Sequence, residues 1–268
     1  MIRPARIALA VTVACLAQQV SADTVVTFKK QNGTAPEKIT IHAGMVQMPS
    51  PETGMRLVMD TNRQKMLMIN DKQKQYMEMD SATIEKTSSL MSQMRQAMMA
   101  QMKNLPEAQR KMLEKRMGIG ATLPAAPKFT VKSTGKHIKI SGIPCEVKEI
   151  LRDGKPSMEA CVASVADTGI DKADYATMKK MFDMSRMFAR QSAKMAGSAA
   201  GGVASMPNLD GVPLEVKDME HGRTVTVATI DSKVKLADKD FQIGSGYKKI
   251  DPFQQMQQHM GHMPAPPR

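Results

Sequence analysis

Met55-Arg-Leu-Val-Met-Asp60 and Lys65-Met-Leu-Met-Ile-Asn70 flank the polar tetrad Thr61-Asn-Arg-Gln64, and Asn70-Asp71-Lys72 turns into Gln75-Tyr-Met-Glu-Met79. Reading this stretch decides the fold class. Each run is short, apolar at alternate positions and bounded by turn formers, the pattern of strands that present one face to a core. Connections of a few residues cannot make a parallel crossover, so the meander is antiparallel.

Working outward, Thr24–Lys29 reads as a first strand and Lys38–Gln47 as a second. Downstream the period changes. Asp80 or Ser81 caps a helix with Glu85 in its first turn, where the helix dipole favours a negative charge. Ile84, Met91, Met94, Met98, Met102 and Leu105 recur at three, four or seven residues and share one helix face. Pro106 opens a second helix to Met117, and Gly118, Gly120, Pro124 and Pro127 form a loop. Strands resume at Lys128–Lys132 and Lys136–Ser141. Asp171 and Asp174 start a third helix running to about Met195, with the stripe Met178, Met181, Phe182, Ser185, Phe188 and Ala189, and Gly197 at its stop. Residues 197–206 read as a flexible loop. In the final strands Leu214/Val216, Val225/Val227 and Val234/Leu236 are expected to point one way, with His221-Gly222 as the turn, and Phe241–Ile243 and Tyr247–Ile250 close the domain.

Ile143-Pro-Cys-Glu-Val-Lys-Glu-Ile-Leu151 and Ser157-Met-Glu-Ala-Cys-Val-Ala163 flank Arg152-Asp-Gly-Lys155, a strong hairpin signal. Cys145 and Cys161 stand eight residues either side of Asp153, so they are expected to face each other across the ladder within disulfide reach. Two buried free thiols are the alternative.

Composition narrows the function classes. The 268 residues carry 38 Lys+Arg against 26 Asp+Glu, a formal net charge of +12. Aromatics are 3%, too few to supply the stacking platforms of a single-stranded nucleic-acid binder, so no nucleic-acid partner is expected. No apolar run reaches the roughly twenty residues of a membrane span. Residues 1–22 read as an export signal. Arg3 and Arg6 precede the apolar Ile7–Ala17, and Val20-Ser-Ala22 fits the small-residue cleavage pattern, which predicts a periplasmic or secreted chain starting at Asp23. An uncleaved anchor is disfavoured by the short apolar region. Lipid anchoring at Cys15 is disfavoured because Thr12 stands where a lipobox carries Leu. Cys15 leaves with the signal, and the remaining even pair suits an oxidising compartment. The organisation expected is therefore a signal peptide at 1–22, one domain at 23–250 and a disordered Gln-, Pro- and Met-rich tail at 251–268.

The run Thr134-Gly-Lys-His-Ile-Lys-Ile-Ser-Gly-Ile-Pro-Cys-Glu-Val147, followed by Met158-Glu-Ala-Cys-Val-Ala163, resembles the Gly-x-x-Cys-Glu hairpin of a secreted bacterial family of unknown function, placed near the LolA/LolB-type lipoprotein carriers. Gly211–Val216, then Phe241-Gln-Ile-Gly-Ser-Gly-Tyr247, resemble its closing strands, although Gly244 and Ser245 replace a Pro frequent there. Met55–Met79 and the helix start Leu105-Pro-Glu-Ala-Gln-Arg110 are similar too. The resemblance implies an α+β fold, a curved antiparallel half-barrel sheet (LolA-like) with helices covering its concave face. It implies no catalytic residue.

The chemistry that stands out is sulfur. Met is 27 of 268 residues. Thioethers are flexible and adapt to irregular apolar shapes, so most serve a core. On an open sheet, Met59, Met66 and Met68 from the strands and Met91, Met94, Met98 and Met102 from the helix are expected to line a groove for an apolar small molecule, lipid or lipoprotein acyl chain. The alternative ligand is Cu(I). Met256, His259, Met260, His262 and Met263 crowd the tail, and thioether and imidazole donors suit that ion, though a solvated tail also explains them. An envelope protein partner without a small ligand is the third class. His42, His137 and His221 are scattered, and no G-x-S-x-G, H-E-x-x-H or P-loop occurs, so no enzyme and no cofactor is expected. Lys103, Arg110, Lys111, Lys115 and Arg116 cluster with Glu107 and Glu114, as on a solvated helix face.

Overall fold

The computed structural model describes residues 23–30, 37–50, 53–102, 106, 107, 109, 112, 127–196 and 207–251. The leader, the tail and most of the expected second helix lie outside them, as does the loop at 197–206. Among the described residues, twelve strands form one sheet. Six come first: β1 (Asp23–Lys30), β2 (Glu37–His42), β3 (Met45–Ser50), β4 (Met55–Asp60), β5 (Lys65–Asn70) and β6 (Gln75–Met79). Helix α1 (Ser81–Met102) follows, then β7 (Phe129–Ile140), β8 (Ile143–Arg152) and β9 (Lys155–Ala163). Helices α2 (Val165–Thr168) and α3 (Lys172–Ala196) precede β10 (Val212–Asp218), β11 (Arg223–Val234) and β12 (Lys248–Ile250). The spatial order is β12-β6-β5-β4-β3-β2-β1-β11-β10-β9-β8-β7. The sheet is open, and every ladder except β12 on β6 is antiparallel.

Several sequence expectations need correcting, each for a backbone reason. Lys38–Gln47 is two strands, not one. Ala43 and Gly44 take φ of +47° and +82° and close a two-residue turn between β2 and β3. Such turns need left-handed residues at both central positions, which Asn-Gly announces and Ala-Gly hides. Lys128–Lys132 and Lys136–Ser141 merge into the single β7, with an irregularity between Ser133 and Lys136. The expected strand Phe241–Ile243 does not form: Phe241 ends a 3-10 turn, Asp238–Phe241, and the next two residues are irregular. Helix α2, capped by Ser164, was not expected. Leu214 and Val216 do not share a face. A bulge between Pro213 and Glu215 leaves Leu214 in the main core and Val216 with a second cluster.

Helix starts follow the sequence closely. The Asp80 carboxylate accepts the Thr83 N–H at 2.7 Å, and the Asp171 carboxylate accepts the Asp174 N–H at 2.7 Å. These caps satisfy backbone donors that a first turn otherwise leaves unmade. Helix α3 buries Met178, Met181 and Met184 against Val26, Ile41, Val46, Met59, Cys145 and Cys161 on one face of the sheet. On the opposite face, among the described residues, the cover comes from the segments around Leu209 and Phe241. Leu209 packs on Ile150, Met158, Ala160 and Val162, while Phe241 packs on Val58 and Ile69.

The disulfide between Cys145 and Cys161 is present, with Cα atoms 5.4 Å apart. Its register differs from the direct opposition expected. Asp153 and Gly154 (φ +51° and +81°) form a two-residue turn, so Arg152 pairs with Lys155 and Leu151 with Pro156. Carried on unbroken, that register would place the two cysteines on opposite faces, because side chains alternate. An extra residue at Ser157 shifts the ladder, Ile150 pairs with Met158, and Val147 stands opposite Cys161. Cys145 is then the diagonal neighbour of Cys161 on the same face, and both are buried.

Candidate functional site

Two cross-strand rows of thioethers cross the sheet on the side that carries α3. Val46, Met59, Met66 and Met79 are successive partners across β3 to β6, and so are Met48, Leu57, Met68 and Met77. In the first row Val46 and Met59 are buried and Met66 and Met79 half-buried, whereas all four members of the second row are half-buried. Met59 is buried in the main core, and Met48, Leu57 and Met66 pack against it. Met68, Met77 and Met79 are half-buried. Helix α3 lies over β2 and β3, and α1 leaves the far end of the sheet at Asp80 and packs on α3. The strand methionines expected to line a groove therefore do share one face, but Met59 belongs to the packed interior. Of the helix set, Met102 is buried at 5% exposure. Met91, Met94 and Met98 lie on α1, but their side chains are outside the described residues, as is the whole tail set Met256, His259, Met260, His262 and Met263.

The first residues of β1 form a second constellation, which the sequence did not flag because its members are far apart in the chain. His42 Nδ1 lies 2.7 Å from Asp23 Oδ1, and its Nε2 lies 2.6 Å from Asp238 Oδ1. A neutral imidazole would turn a lone pair toward one carboxylate, so the arrangement calls for the doubly protonated ring. Burial works against that charge, but the hydrogen bonds to Asp238 and Asp23 outweigh it and raise the imidazole pKa above its usual value. The ring also stacks on Phe241, with centroids 5.1 Å apart. Asp23 Oδ2 accepts the Leu236 N–H at 2.6 Å. Both imidazole nitrogens are thus occupied, leaving no free lone pair for proton abstraction or metal ligation. The constellation clamps β1, β2 and the segment after β11 together.

Beside this clamp, on the α3 side, sits Asp174. It is 3% exposed, and its Oδ2 receives no hydrogen bond among the described residues. Thr24 Oγ1, also fully buried, lies beside it, and its hydroxyl can donate to the carboxyl. Burial first, then the negative charges of Asp171 and Asp23, push the Asp174 carboxyl up to about 6; Thr24 and His42 act the other way.

Two recesses accompany these features. One, of about 50 Å³, lies between α3 and the chain before β10, lined by Met178, Phe182, Arg186, Leu209 and Pro213. It has room for little more than a water molecule. The other, about 420 Å³ and wide open, lies on the opposite sheet face between Thr40, Gln47, Arg56, Lys239 and Phe241. Neither borders Met68 or Met77. Among the described residues no group of His, Cys, Asp and Glu is arranged to hold a metal ion, and no helix is long and apolar enough to cross a membrane.

No family model and no curated protein matches this chain. Solved structures resemble it only distantly. The chain aligns over 88% of its length with PNGF-II at 7% identity and a TM-score of 0.41, covering 32% of that chain. It thus spans about a third of the PNGF-II structure. An uncharacterized conserved protein from Thermus thermophilus aligns over 86% of this chain and 91% of its own, at 7% identity and a TM-score of 0.39. MucB in complex with MucA(peri) aligns over 84% of this chain and 55% of its own, at 9% identity and a TM-score of 0.27.

Proposed function

We propose that this chain is an exported envelope protein without a reaction of its own, which holds an apolar chain such as a lipid or lipoprotein acyl group against the thioether rows of β4 to β6. The observation that carries the reading is the half-buried remainder of those rows beyond buried Val46 and Met59, of which Met68, Met77 and Met79 are not among the side chains packed on the main core. Thioethers re-pack around irregular apolar shapes, so a row that is only partly covered suits an adaptable apolar ligand. The export signal at 1–22 and the disulfide fit an oxidising compartment. The half-barrel form of the lipoprotein carriers suits the open sheet with a helix lying on one face. The Cu(I) reading rests wholly on residues outside the described structure, and no observation favours it.

The test is fluorescence titration with a dansyl-labelled undecanoic acid. Met68→Glu and Met77→Lys should each weaken binding at least about tenfold, equivalent to about 1.4 kcal/mol, with an unchanged far-ultraviolet spectrum. No binding by the unsubstituted protein, or undiminished binding by both variants, overturns the reading.

A further inference from the structure

Asp174 is a buried acid with an acceptor to spare. It occupies the third position of α3, its own N–H is taken by the Asp171 cap, and its Oδ2 meets no donor among the described residues. The groups that face it are Thr24, Asp171, Asp23 and His42. The neighbouring Thr24 hydroxyl can donate one hydrogen bond to this carboxyl, but Oδ2 stays open, and buried polar atoms in native proteins are nearly always paired, so the carboxylate has room for a second donor. The place in the chain suggests which donor. Thr24 follows Asp23, and the bond between Ala22 and Asp23 is the one at which the leader is expected to be cut. While that bond is intact, the Asp23 nitrogen is a neutral amide with one proton. Hydrolysis adds water across it: Ala22 departs as a carboxylate, and the nitrogen becomes an ammonium with three protons and a positive charge. A strand ladder can use one of those protons, which leaves two for carboxylate and hydroxyl acceptors.

We propose that Asp174, with Thr24, is the receptor for the α-ammonium group created at Asp23 by removal of the leader, so that processing completes a buried ion pair joining β1 to α3. The inference rests on the export part of the reading above and is independent of the apolar ligand. Until processing, the orphaned carboxyl destabilises the junction. Afterwards, breaking the pair would strand a charge in the interior, which is costly.

The protein purified from the exporting cell is first weighed intact. A mass starting at Asp23 is required. A processed chain starting elsewhere overturns this proposal and leaves export standing, whereas a chain that keeps its leader overturns both. Next, a Gly is inserted between Ala22 and Asp23, so that processing leaves the ammonium one residue, about 3.8 Å of chain, away. Urea denaturation near neutral pH should show the unfolding constant raised about tenfold or more. In the Asp174→Asn background the same insertion should change nothing. Equal cost in both backgrounds, or none in the parent, overturns the proposal.

A second readout needs no substitution in the receptor. A paired α-ammonium has its pKa raised above the unfolded value of about 7.7–8.0. Its contribution is complete below that value and is lost as pH rises through the folded pKa. The processed protein should therefore lose stability on that limb, and the Gly-extended chain should not. Parallel curves overturn the proposal.

Discussion

Replacing both cysteines, Cys145→Ala and Cys161→Ala, should cost about 3 kcal/mol. The disulfide closes a loop spanning a sequence separation of 16 residues. In the chain-entropy treatment a loop of roughly 15 residues removes about 3 kcal/mol worth of freedom from the unfolded chain. Both sulfurs lie in the main core beside Val147 and Ala163, and Ala leaves no polar atom there, so the entropic part dominates. For a domain of this size each kcal/mol moves the melting temperature by about 2–4 °C, so a fall of roughly 6–12 °C is expected. The assay is urea denaturation followed by circular dichroism, with and without reductant. Reductant should destabilise the parent by the same amount and leave the double variant unaffected. A loss below about 1 kcal/mol would refute the argument, since it would mean that the closed loop does not restrict the unfolded chain.

Deleting Ser157 should leave the disulfide intact, because the extra residue is then gone while the partners Ile150 and Met158 keep their register; free thiols after denaturation without reductant would show otherwise. Phe241→Ala empties the site over Val58 and Ile69 and should cost about 3–5 kcal/mol in a urea titration. Arg56 donates to Asp71 and to the carbonyls of Asp240 and Gln242 at 2.8 Å, so Arg56→Met should speed amide exchange across 238–250, and unchanged exchange would count against that tie. The raised pKa of His42 contributes stability that is complete below the unfolded value near 6.5 and is lost as pH rises through the folded one. Urea midpoints of the parent should fall over that range relative to His42→Gln, and a constant difference between the two would contradict the charged clamp.

The strands of Met55–Met79 were legible because alternation and short polar connections leave few other solutions, and the same holds for the helix that Asp171 caps. What failed was backbone bookkeeping. Ala43, Ser141 and Asp153 take positive φ, each ahead of a glycine, yet only the Asp153-Gly154 pair has a first residue that favours the left-handed region. The bulges at Ser157 and Leu214 invert alternation, and a strand pattern gives no warning of where one extra residue is tolerated. The thioether face was readable by period alone, although its division into core and margin was not, since that depends on where α3 lies. The His42 clamp was unreadable for another reason. Asp23, His42, Asp174 and Asp238 come from four separate segments, and only the order of the strands brings them together.

An open sheet of twelve strands has two faces to cover and two edges to protect. At one edge β7 exposes Lys132, Lys136, His137 and Lys139, and charge there discourages pairing with another chain. At the other, β12 contributes three residues, too few to template a partner strand, and Lys249 of that strand reaches Glu78 on β6 at 2.9 Å. The opposite face has Leu209 at one end and Phe241 at the other. On the α3 side the helix lies over β2 and β3, and beyond it Met68, Met77 and Met79 are half-buried. Edges that are charged or cut short turn strands away, whereas a half-buried thioether margin does not turn away an apolar chain. On the reading proposed above, a ligand would therefore meet a face of the sheet instead of an edge, with its apolar surface replacing water at Met68, Met77 and Met79.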